Sequence, residues 1–500
     1  TGGWGKRMSE INNLHNTSAD GPVEVNNSRL LATTTTLFQH HIPTAFIVLG
    51  FLEWAAFMAA FYLGIELRFF GPGSAAKVLL GPLAPKAFLF AVVMLSSMIA
   101  MGGYKRGANQ SFVDMIVRVA SALVLGMLPL VFTYYFAPQF FLGRGALGLA
   151  VGISFVLIIA LRFAFDRFLN HTAFNSRVLV LGTGARANLV RNALHSGELR
   201  GLEIVGFVPL STESATSDTT TAALTQNSTL SLVDLVNEQS IDQIVLAADD
   251  RRKSLPVKDI LDCKMSGVAV VDLPTFFERE TGKVRLDILQ PSWLFLSDGF
   301  RLSVLRRISK RVFDLGCALV ILPCILPLMA VVALAIFFES GGRGPVFYRQ
   351  TRVGEKGRLF QIIKFRSMRV DAESNGPRWA SAQDDRITRV GNVIRRTRLD
   401  ELPQIFNIVM GEMSFVGPRP ERPEFTRELR EKIPYYSERH RVKPGLTGWA
   451  QIRYPYGASE EDAIQKLQYD LYYVKNYSIF IDLMIILQTV EVVLLRKGAH

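Results

Sequence analysis

At 500 residues the chain exceeds one ordinary domain and fits roughly two to four. Hydrophobic residues make up 49% of it and the mean hydropathy is +0.23, high for a soluble enzyme and indicative of membrane segments. A net charge of +12 admits nucleic acid, anionic lipid or phosphorylated substrates, and with no zinc-ligand spacing or basic–aromatic RNA-binding pattern, nucleic acid drops out.

Cys263, Cys317 and Cys324 have no metal-ligand spacing, and two of them share one apolar run, so a reducing compartment is expected rather than a disulfide framework. Residues 1–7 read as a tag scar, and the stretch 9–35, rich in Asn, Ser and Thr, reads as disordered. Residues 1–42 therefore stand outside the folded units.

Four apolar segments follow, at 43–65, 86–104, 112–136 and 145–165, each able to supply the ~20 residues of a membrane span. They predict a four-helix transmembrane bundle over 43–170. Lys105 and Arg106 lie between the second and third segments, and Arg162, Arg167 and Arg177 follow the fourth, whereas Arg68, Lys77, Lys86 and Arg144 are scattered over the opposite side. The positive-inside rule then puts both ends of the bundle in the cytoplasm. Glu53 lies within the first span, where a carboxylate is costly; it reads either as a bundle-facing hydrogen bond or as a transport group.

Residues 171–300 alternate strand and helix patterns and predict a Rossmann-like α/β middle domain. Gly182-Thr183-Gly184-Ala185-Arg186-Ala187 has the G-x-G-x-x-A form at a strand-to-helix turn. The second strand ends in Phe207-Val208-Pro209, without an acid for a ribose hydroxyl. A structural or regulatory module is thus favoured over NAD binding, and the Thr, Ser and Ala-rich residues 211–230 read as a mobile loop.

Residues 312–338 are apolar apart from Asp314 and are interrupted by Pro323 and Pro327. Arg306, Arg307, Lys310 and Arg311 precede them, and Arg343, Arg349 and Arg352 follow. A straight span would strand one basic cluster outside. Each arm about the prolines has about a dozen residues, too few to cross alone. The pattern predicts a helix-break-helix over 310–339 that enters the membrane and returns, with a kinked transmembrane helix as the other reading.

The chemistry-bearing residues come next: Ile363-Lys364-Phe365-Arg366, then Arg395, Arg396 and Arg398, then Leu399-Asp400-Glu401-Leu402-Pro403-Gln404, then Gly417-Pro418-Arg419-Pro420 and Lys443-Pro444-Gly445-Leu446-Thr447-Gly448-Trp449-Ala450-Gln451. Paired acids between cations suit attack on a phosphate whose charge must be offset. Residues 402–409 read as a helix with the acids at its first turn and Pro403 near its start. Its amide end would add partial positive charge toward a phosphate.

In this order, over nearly all of 304–500, these motifs resemble the bacterial polyprenyl-phosphate sugar-1-phosphate transferases, the monotopic phosphoglycosyl transferases. The resemblance implies a membrane protein of α plus α/β class, with a monotopic catalytic domain over 301–500 carrying the re-entrant helix. It implies Asp400 as covalent nucleophile and Glu401 as Mg2+ ligand. Lys364, Arg366, Arg395, Arg398 and Arg419 would bind substrate. A UDP-hexose donor, an undecaprenyl phosphate acceptor, membrane lipids, a homodimer and the cytoplasmic face of the inner membrane are implied with them. Family members often carry Ser-Pro at the helix break, where this chain has Leu326-Pro327 and an extra Pro323. Residues 479–495 resemble the family's closing helix; Asp482, Gln488 and Glu491 interrupt its apolar face, which predicts an interfacial helix on the membrane, with a true span as the lesser reading. Two rivals stand beside this reading. One is a membrane-anchored nucleotide-sensing or assembly scaffold with a dormant transferase domain. The other is an NAD-dependent dehydratase, which lacks both its Tyr-x-x-x-Lys motif and the ribose-binding acid.

Overall fold

The computed structural model describes residues 34–37, 40–69, 81–104, 112–169, 176–199, 202–210, 231–249, 255–297, 299–300, 303–369, 386–454, 457 and 459–494. Residues 1–33, Lys77, Lys105, Arg106 and the stretch 211–230 lie outside them. Where the polar N-terminal stretch predicts disorder, Thr34–Leu37 (β1) and His40–Pro43 (β2) pair antiparallel. The run of β-branched threonines favours extended backbone there.

The four apolar segments form helices α1 (Thr44–Arg68), α2 (Leu83–Ala100), α3 (Phe112–Phe136) and α4 (Arg144–Leu169). α1 packs on α2 and α4, and α3 packs on the same two. Phe57, Phe61, Phe90, Met94, Met98, Val119 and Ile158 fill the space between them. Phe51, Val124, Leu128, Phe132 and Val156 point outward and are equally apolar. A helix apolar on every face needs a solvent that is itself apolar or a larger core around it. Five helices, these four and Val304–Glu339, are long and apolar enough to cross a membrane.

Glu53 is fully buried among these helices. Its Oε1 accepts from Arg162 Nε at 2.6 Å, and Tyr104 donates its hydroxyl to the other oxygen. Arg162 Nη1 reaches on to the Gly103 carbonyl at 3.2 Å. The carboxylate is therefore a tie between α1, α4 and the turn after α2.

The middle domain is a four-stranded parallel sheet, β3 (Ser176–Leu181), β4 (Leu202–Val208), β5 (Gln243–Leu246) and β6 (Ala269–Asp272), in the order β4-β3-β5-β6. Alternate residues of β3 serve opposite faces. Val178 and Val180 meet Phe276 and Phe277, whereas Leu179 and Leu181 meet Val236 and Cys263. Helices α5 (Ala185–His195), α6 (Leu232–Glu238), α7 (Val257–Met265) and α8 (Leu273–Thr281) supply those layers.

The glycine-rich turn is closed by the protein itself. Asp249, just beyond β5, accepts from the amides of Ala185 at 2.9 Å and Arg186 at 3.0 Å. A Cβ at Gly184 would collide with that carboxylate. The first turn of α5, where a dinucleotide fold receives pyrophosphate, is thus capped by an internal anion.

Val304–Glu339 (α9) opens the C-terminal part with Ser303 as its N-cap. Pro323 and Pro327 stand inside one uninterrupted helix, not at a break between two as the sequence predicts. Each proline forfeits a single backbone hydrogen bond, a loss that bends a long helix without ending it. Both halves of α9 rest on the same folded unit: Ala318 packs with Ile405, Ile408 and Phe415, and Met329, Val332 and Ile336 pack with Phe365 and Ile394.

That unit contains the hairpin β7 (Phe347–Val353) and β8 (Leu359–Phe365), then α10 (Arg389–Arg396) and α11 (Gln404–Met410). Strands β9 (Ser414–Val416) and β10 (Gly445–Thr447) pair in parallel, with α12 (Pro423–Lys432) between them in sequence. Helices α13 (Trp449–Arg453), α14 (Glu460–Lys475) and α15 (Ile479–Leu494) close the chain.

α15 does not present a polar stripe to a headgroup layer, as its pattern predicts. It packs against α2 and the core of the C-terminal unit, with Asp482 and Gln488 buried. Lys310 at the start of α9 pairs with Asp482 at 2.7 Å, and Tyr473 donates to the same carboxylate at 2.7 Å. Asp482, one of the polar residues that interrupt the apolar face, is thus an internal partner.

The middle and C-terminal units share a polar junction. Glu278 of α8 takes a hydrogen bond from Lys475 Nζ and another from Asn476 Nδ2 at 3.0 Å, all three buried. Lys475 also sits 4.0 Å from the Trp293 ring centroid, and Trp449 Nε1 donates to the Gly282 carbonyl at 2.8 Å.

Candidate active site

The acid pair owes its position to a short irregular segment. α10, capped by Thr388, ends at Thr397; Arg398 then takes a left-handed conformation, φ +58°. A single 3-10 turn, Leu399–Glu401, follows, and α11 begins only at Gln404. Asp400 and Glu401 therefore precede α11 on a turn of their own, where the sequence pattern puts them in its first turn. Pro403 is the cap of α11 rather than an early helical residue. A left-handed residue with a Cβ is locally unfavourable, and such strain persists where the surroundings over-determine it.

Lys364 comes from β8, across a join made by Asn407. This fully buried amide accepts from the Ile363 amide at 3.0 Å and donates to the Gln361 carbonyl at 2.8 Å. It fixes α11 to β8, and so fixes the dyad against Lys364. Lys364 Nζ then lies 3.0 Å from Glu401 Oε1; Arg419 Nη2 lies 3.4 Å and Arg398 Nη1 3.9 Å from the same oxygen.

Arg419 follows β9 in a loop pressed against the loop that ends in Gly448. A Cβ at Gly417 would strike the Lys443 carbonyl, and one at Gly445 would strike the Gly417 amide. Only glycine permits that approach. Arg439 Nη2 donates to the Arg419 carbonyl at 3.1 Å, pairs with Asp470 at 2.7 Å and donates through Nη1 to the Tyr436 hydroxyl at 2.7 Å.

All the substrate-site candidates meet in one cavity of about 1280 Å³: Lys364, Arg366, Arg395, Arg398, Asp400, Glu401 and Arg419 line it. Pro323 and Pro327 are not among its lining residues. Gln451, which ends the Lys443–Gln451 motif, Arg352 of the basic cluster after α9, and Lys466, to which no sequence motif drew attention, line it as well. Arg366 Nη1, Arg352 Nε and Gln451 Oε1 are buried without a hydrogen-bond partner. Orphaned donors and acceptors clustered in one cavity are what a polar ligand would satisfy.

The two acids sit in opposed fields. Burial and the neighbouring Glu401 push the Asp400 carboxyl up from its ordinary range, against Lys364, Arg395 and Arg398. Burial would raise Glu401 too, but Lys364, Arg419 and Arg398 outweigh it and hold that carboxyl well below the ordinary value. Glu401 is thus a fixed anion, and Asp400 is a carboxylate poised closer to neutrality.

Among the described residues no three His, Cys, Asp or Glu side chains converge as a metal cage. The three cations all engage Glu401 through Oε1. Glu401 would be the residue to hold a divalent ion beside a phosphate-bearing substrate. That donor set, one or two carboxylates plus phosphate, suits Mg2+.

Apolar membrane-type helices, an α/β unit and a carboxylate pair ringed by guanidinium and ammonium groups define a membrane-associated protein equipped to receive a phosphate-bearing ligand. Residues 305–496 match the profile described as bacterial sugar transferase. A UDP-N-acetylgalactosamine-undecaprenyl-phosphate N-acetylgalactosaminephosphotransferase of Aeromonas hydrophila is 40% identical over 238 residues, 48% of this chain and 55% of that protein. Two UDP-glucose:undecaprenyl-phosphate glucose-1-phosphate transferases match over more of their length. The Escherichia coli K12 protein is 33% identical over 67% of this chain and 71% of its own, and the Xanthomonas campestris protein is 32% identical over 71% and 75%. The chain thus spans little more than half of the Aeromonas relative and about three quarters of the Xanthomonas one. It belongs to the polyprenyl-phosphate hexose-1-phosphate transferase family.

Proposed function

We propose that the protein moves a hexose-1-phosphate from a UDP-sugar to undecaprenyl phosphate at the cytoplasmic face of a bacterial inner membrane, as an initiating step of surface polysaccharide synthesis. The observation that carries this reading is the asymmetry of the dyad: Lys364, Arg398 and Arg419 pair with Glu401 within 4 Å, whereas Asp400 is buried beside Lys364, Arg395 and Arg398 and its burial outweighs their pull.

An oxygen of the ionised Asp400 carboxylate attacks the phosphorus that bears the sugar. The anhydride bond to UMP breaks and UMP leaves with its electron pair. A phosphate oxygen of the acceptor then attacks the same phosphorus, the aspartyl–phosphate bond breaks, and the carboxylate is regenerated. Lys364, Arg366, Arg395, Arg398 and Arg419 offset the anionic charge that would otherwise repel the nucleophile. Mg2+ held by Glu401 and substrate oxygens would add Lewis-acid neutralisation of that charge.

Asp400→Asn removes the nucleophile and should abolish both UMP release and labelling of the protein by radiolabelled sugar phosphate. Turnover at the wild-type rate in that variant would sink the covalent assignment.

The same reading has α9 enter the membrane and return. Its support is that one folded unit grips both ends: Arg311 donates to the Ile408 and Val409 carbonyls at 2.6 Å, and Glu339 accepts from the Val390 amide at 3.0 Å. A straight helix would carry those ends about 42 Å apart, at ~1.5 Å per residue. On a cysteine-free background, cysteines at Ser303 and Ser340 should both react with an impermeant reagent from the cytoplasmic side only. Reaction of one from each side would mean a spanning helix.

A further inference from the structure

A second cleft, of about 480 Å³, lies where the middle and C-terminal units meet. Lys283 and Arg285, just past α8, line one side; Gln465 and Gln468 of α14 and Lys432 at the end of α12 line the other. α14 stands between this cleft and the active-site cavity. Ile464, Gln465 and Gln468 face the cleft, whereas Ala463, Lys466 and Asp470 line the cavity. At 3.6 residues per turn these are opposite stripes of one helix.

Two groups in this cleft are buried with hydrogen-bonding capacity unspent: Lys283 is 7% exposed and Gln468 5%. An ammonium carries three donors. Lys283 Nζ meets Glu198 Oε1 at 3.2 Å, its one ion pair among the described residues. The Gln468 backbone carbonyl accepts from the Val284 amide at 3.0 Å, which draws the two residues together. Its side-chain amide has no partner among the described residues, and neither has that of Gln465. The other charges are satisfied within the protein. Arg285 pairs with Asp287 at 3.1 and 2.6 Å, and Lys432 pairs with Glu428 at 2.9 Å and Glu460 at 3.3 Å. Burying an unpaired polar group costs stability, and a ligand that pairs it explains why such a group is kept.

The chemistry of the unspent groups defines their ligand. A carboxamide offers a donor and an acceptor side by side, the complement of a nucleobase edge. Leu286, Pro434 and Ile464 add aliphatic wall, and the volume falls within the ~300–1,000 Å³ of small-molecule sites. A bare phosphate would satisfy Lys283 and leave both amides unpaired. We propose that this cleft is a second binding site, separate from the active-site cavity, for a nucleoside phosphate, whose phosphate meets Lys283 and whose base edge meets Gln465 and Gln468. The choice of a uridine nucleotide as its occupant rests on the transferase reading above, in which UMP is released nearby. α14 gives such a ligand a route to the dyad: Asp470 holds Arg439, and Arg439 holds the Arg419 carbonyl.

The test uses the full-length protein in nanodiscs and two photoreactive nucleotides, 5-azido-UMP and 8-azido-AMP. At least one should label wild-type peptides containing Leu286, Pro434 or Gln468. Excess unlabelled nucleotide should remove that label, and the same concentration of inorganic phosphate should not. Gln468→Leu nearly conserves volume and deletes the amide, so labelling at the cleft should fall by about tenfold or more. Its melting temperature should stay level or rise, because an unpaired buried amide has been removed. Label in the active-site cavity should survive Gln468→Leu and be lost in Arg419→Ala. Absence of cleft label with both nucleotides, undiminished label in Gln468→Leu, or its removal by phosphate alone would overturn the nucleoside site. A clearly lower melting temperature in Gln468→Leu would do the same, since the amide would then be a structural partner. Failure of the transferase reading shows separately, as absence of UMP release by wild-type protein, and leaves the cleft labelling interpretable.

Discussion

Asp400 and Glu401 are neighbours in the chain and opposites in environment. Burial penalises both charges, yet only Glu401 collects enough cations to overcome it. In the proposed reaction Asp400 attacks as a carboxylate, so activity should rise with pH through a value above the ordinary aspartate pKa of about 3.9. Lys364 is the largest of the influences that pull Asp400 down. Lys364→Met should therefore move the acid limb of kcat/KM to higher pH as well as lower its plateau. A limb that stays put or moves to lower pH would show that Lys364 does not tune the nucleophile. The acids and their flanking arginines were legible in the sequence because charged residues in that order have few structural uses. The difference between them was not, since it depends on which side chains fold back onto which oxygen.

At the scale of elements, the site is assembled by contacts between segments that are short and irregular. Arg439 fixes the Arg419 carbonyl, and Asp470 on α14 fixes Arg439. Burial pushes the Asp470 carboxyl up to about 6 despite Arg439 beside it, so it remains an anion at neutral pH. Asp470→Asn leaves the buried guanidinium without its counter-charge. Losing one member of such a pair costs about 3–5 kcal/mol. The variant should unfold at a clearly lower temperature and lose turnover, through Arg419, without losing the dyad. Wild-type stability and rate in Asp470→Asn would remove Arg439 from any positioning role. The pairing is not visible in the sequence: an arginine in Tyr436–Arg441 reads as a solvated charge, and the stretch Tyr469–Asn476, which resembles a closing element of the family, does not say what Asp470 meets. The prolines of α9 taught the converse lesson. Their presence signals a bend, but whether the helix breaks depends on what packs on either side of them, and here Ala318 before them and Met329 and Val332 after them rest on the same folded unit.

Across the whole molecule, the middle domain acts as a brace. Its glycine-rich turn is filled by Asp249, and its α8 carries Glu278 into the catalytic unit, where Lys475 and Asn476 meet it. Because Lys475 ends the helix that carries Asp470, the junction supports the wall of the active-site cavity. Glu278→Ala strands the Lys475 ammonium beside Trp293 and should lower the unfolding temperature substantially; a second change, Lys475→Met, removes the stranded charge and should restore most of the loss. Additive losses in the double variant would show that the two residues do not act as a pair.

Sequence alone determined where the apolar segments, the strand–helix alternation and the paired acids with their cations fall along the chain. Hydropathy, strand–helix alternation and the spacing of acids and cations are properties of local stretches of chain, and local stretches dictate them. Tertiary structure alone decided that Glu401 and not Asp400 receives the cations, that Glu53 pairs with Arg162, and that Asp249 occupies the nucleotide turn. It also decided that α15 walls the cavity instead of lying apart. Each of these joins residues far apart in sequence, and their pairing is set by burial, which makes an unpartnered charge too costly to leave alone.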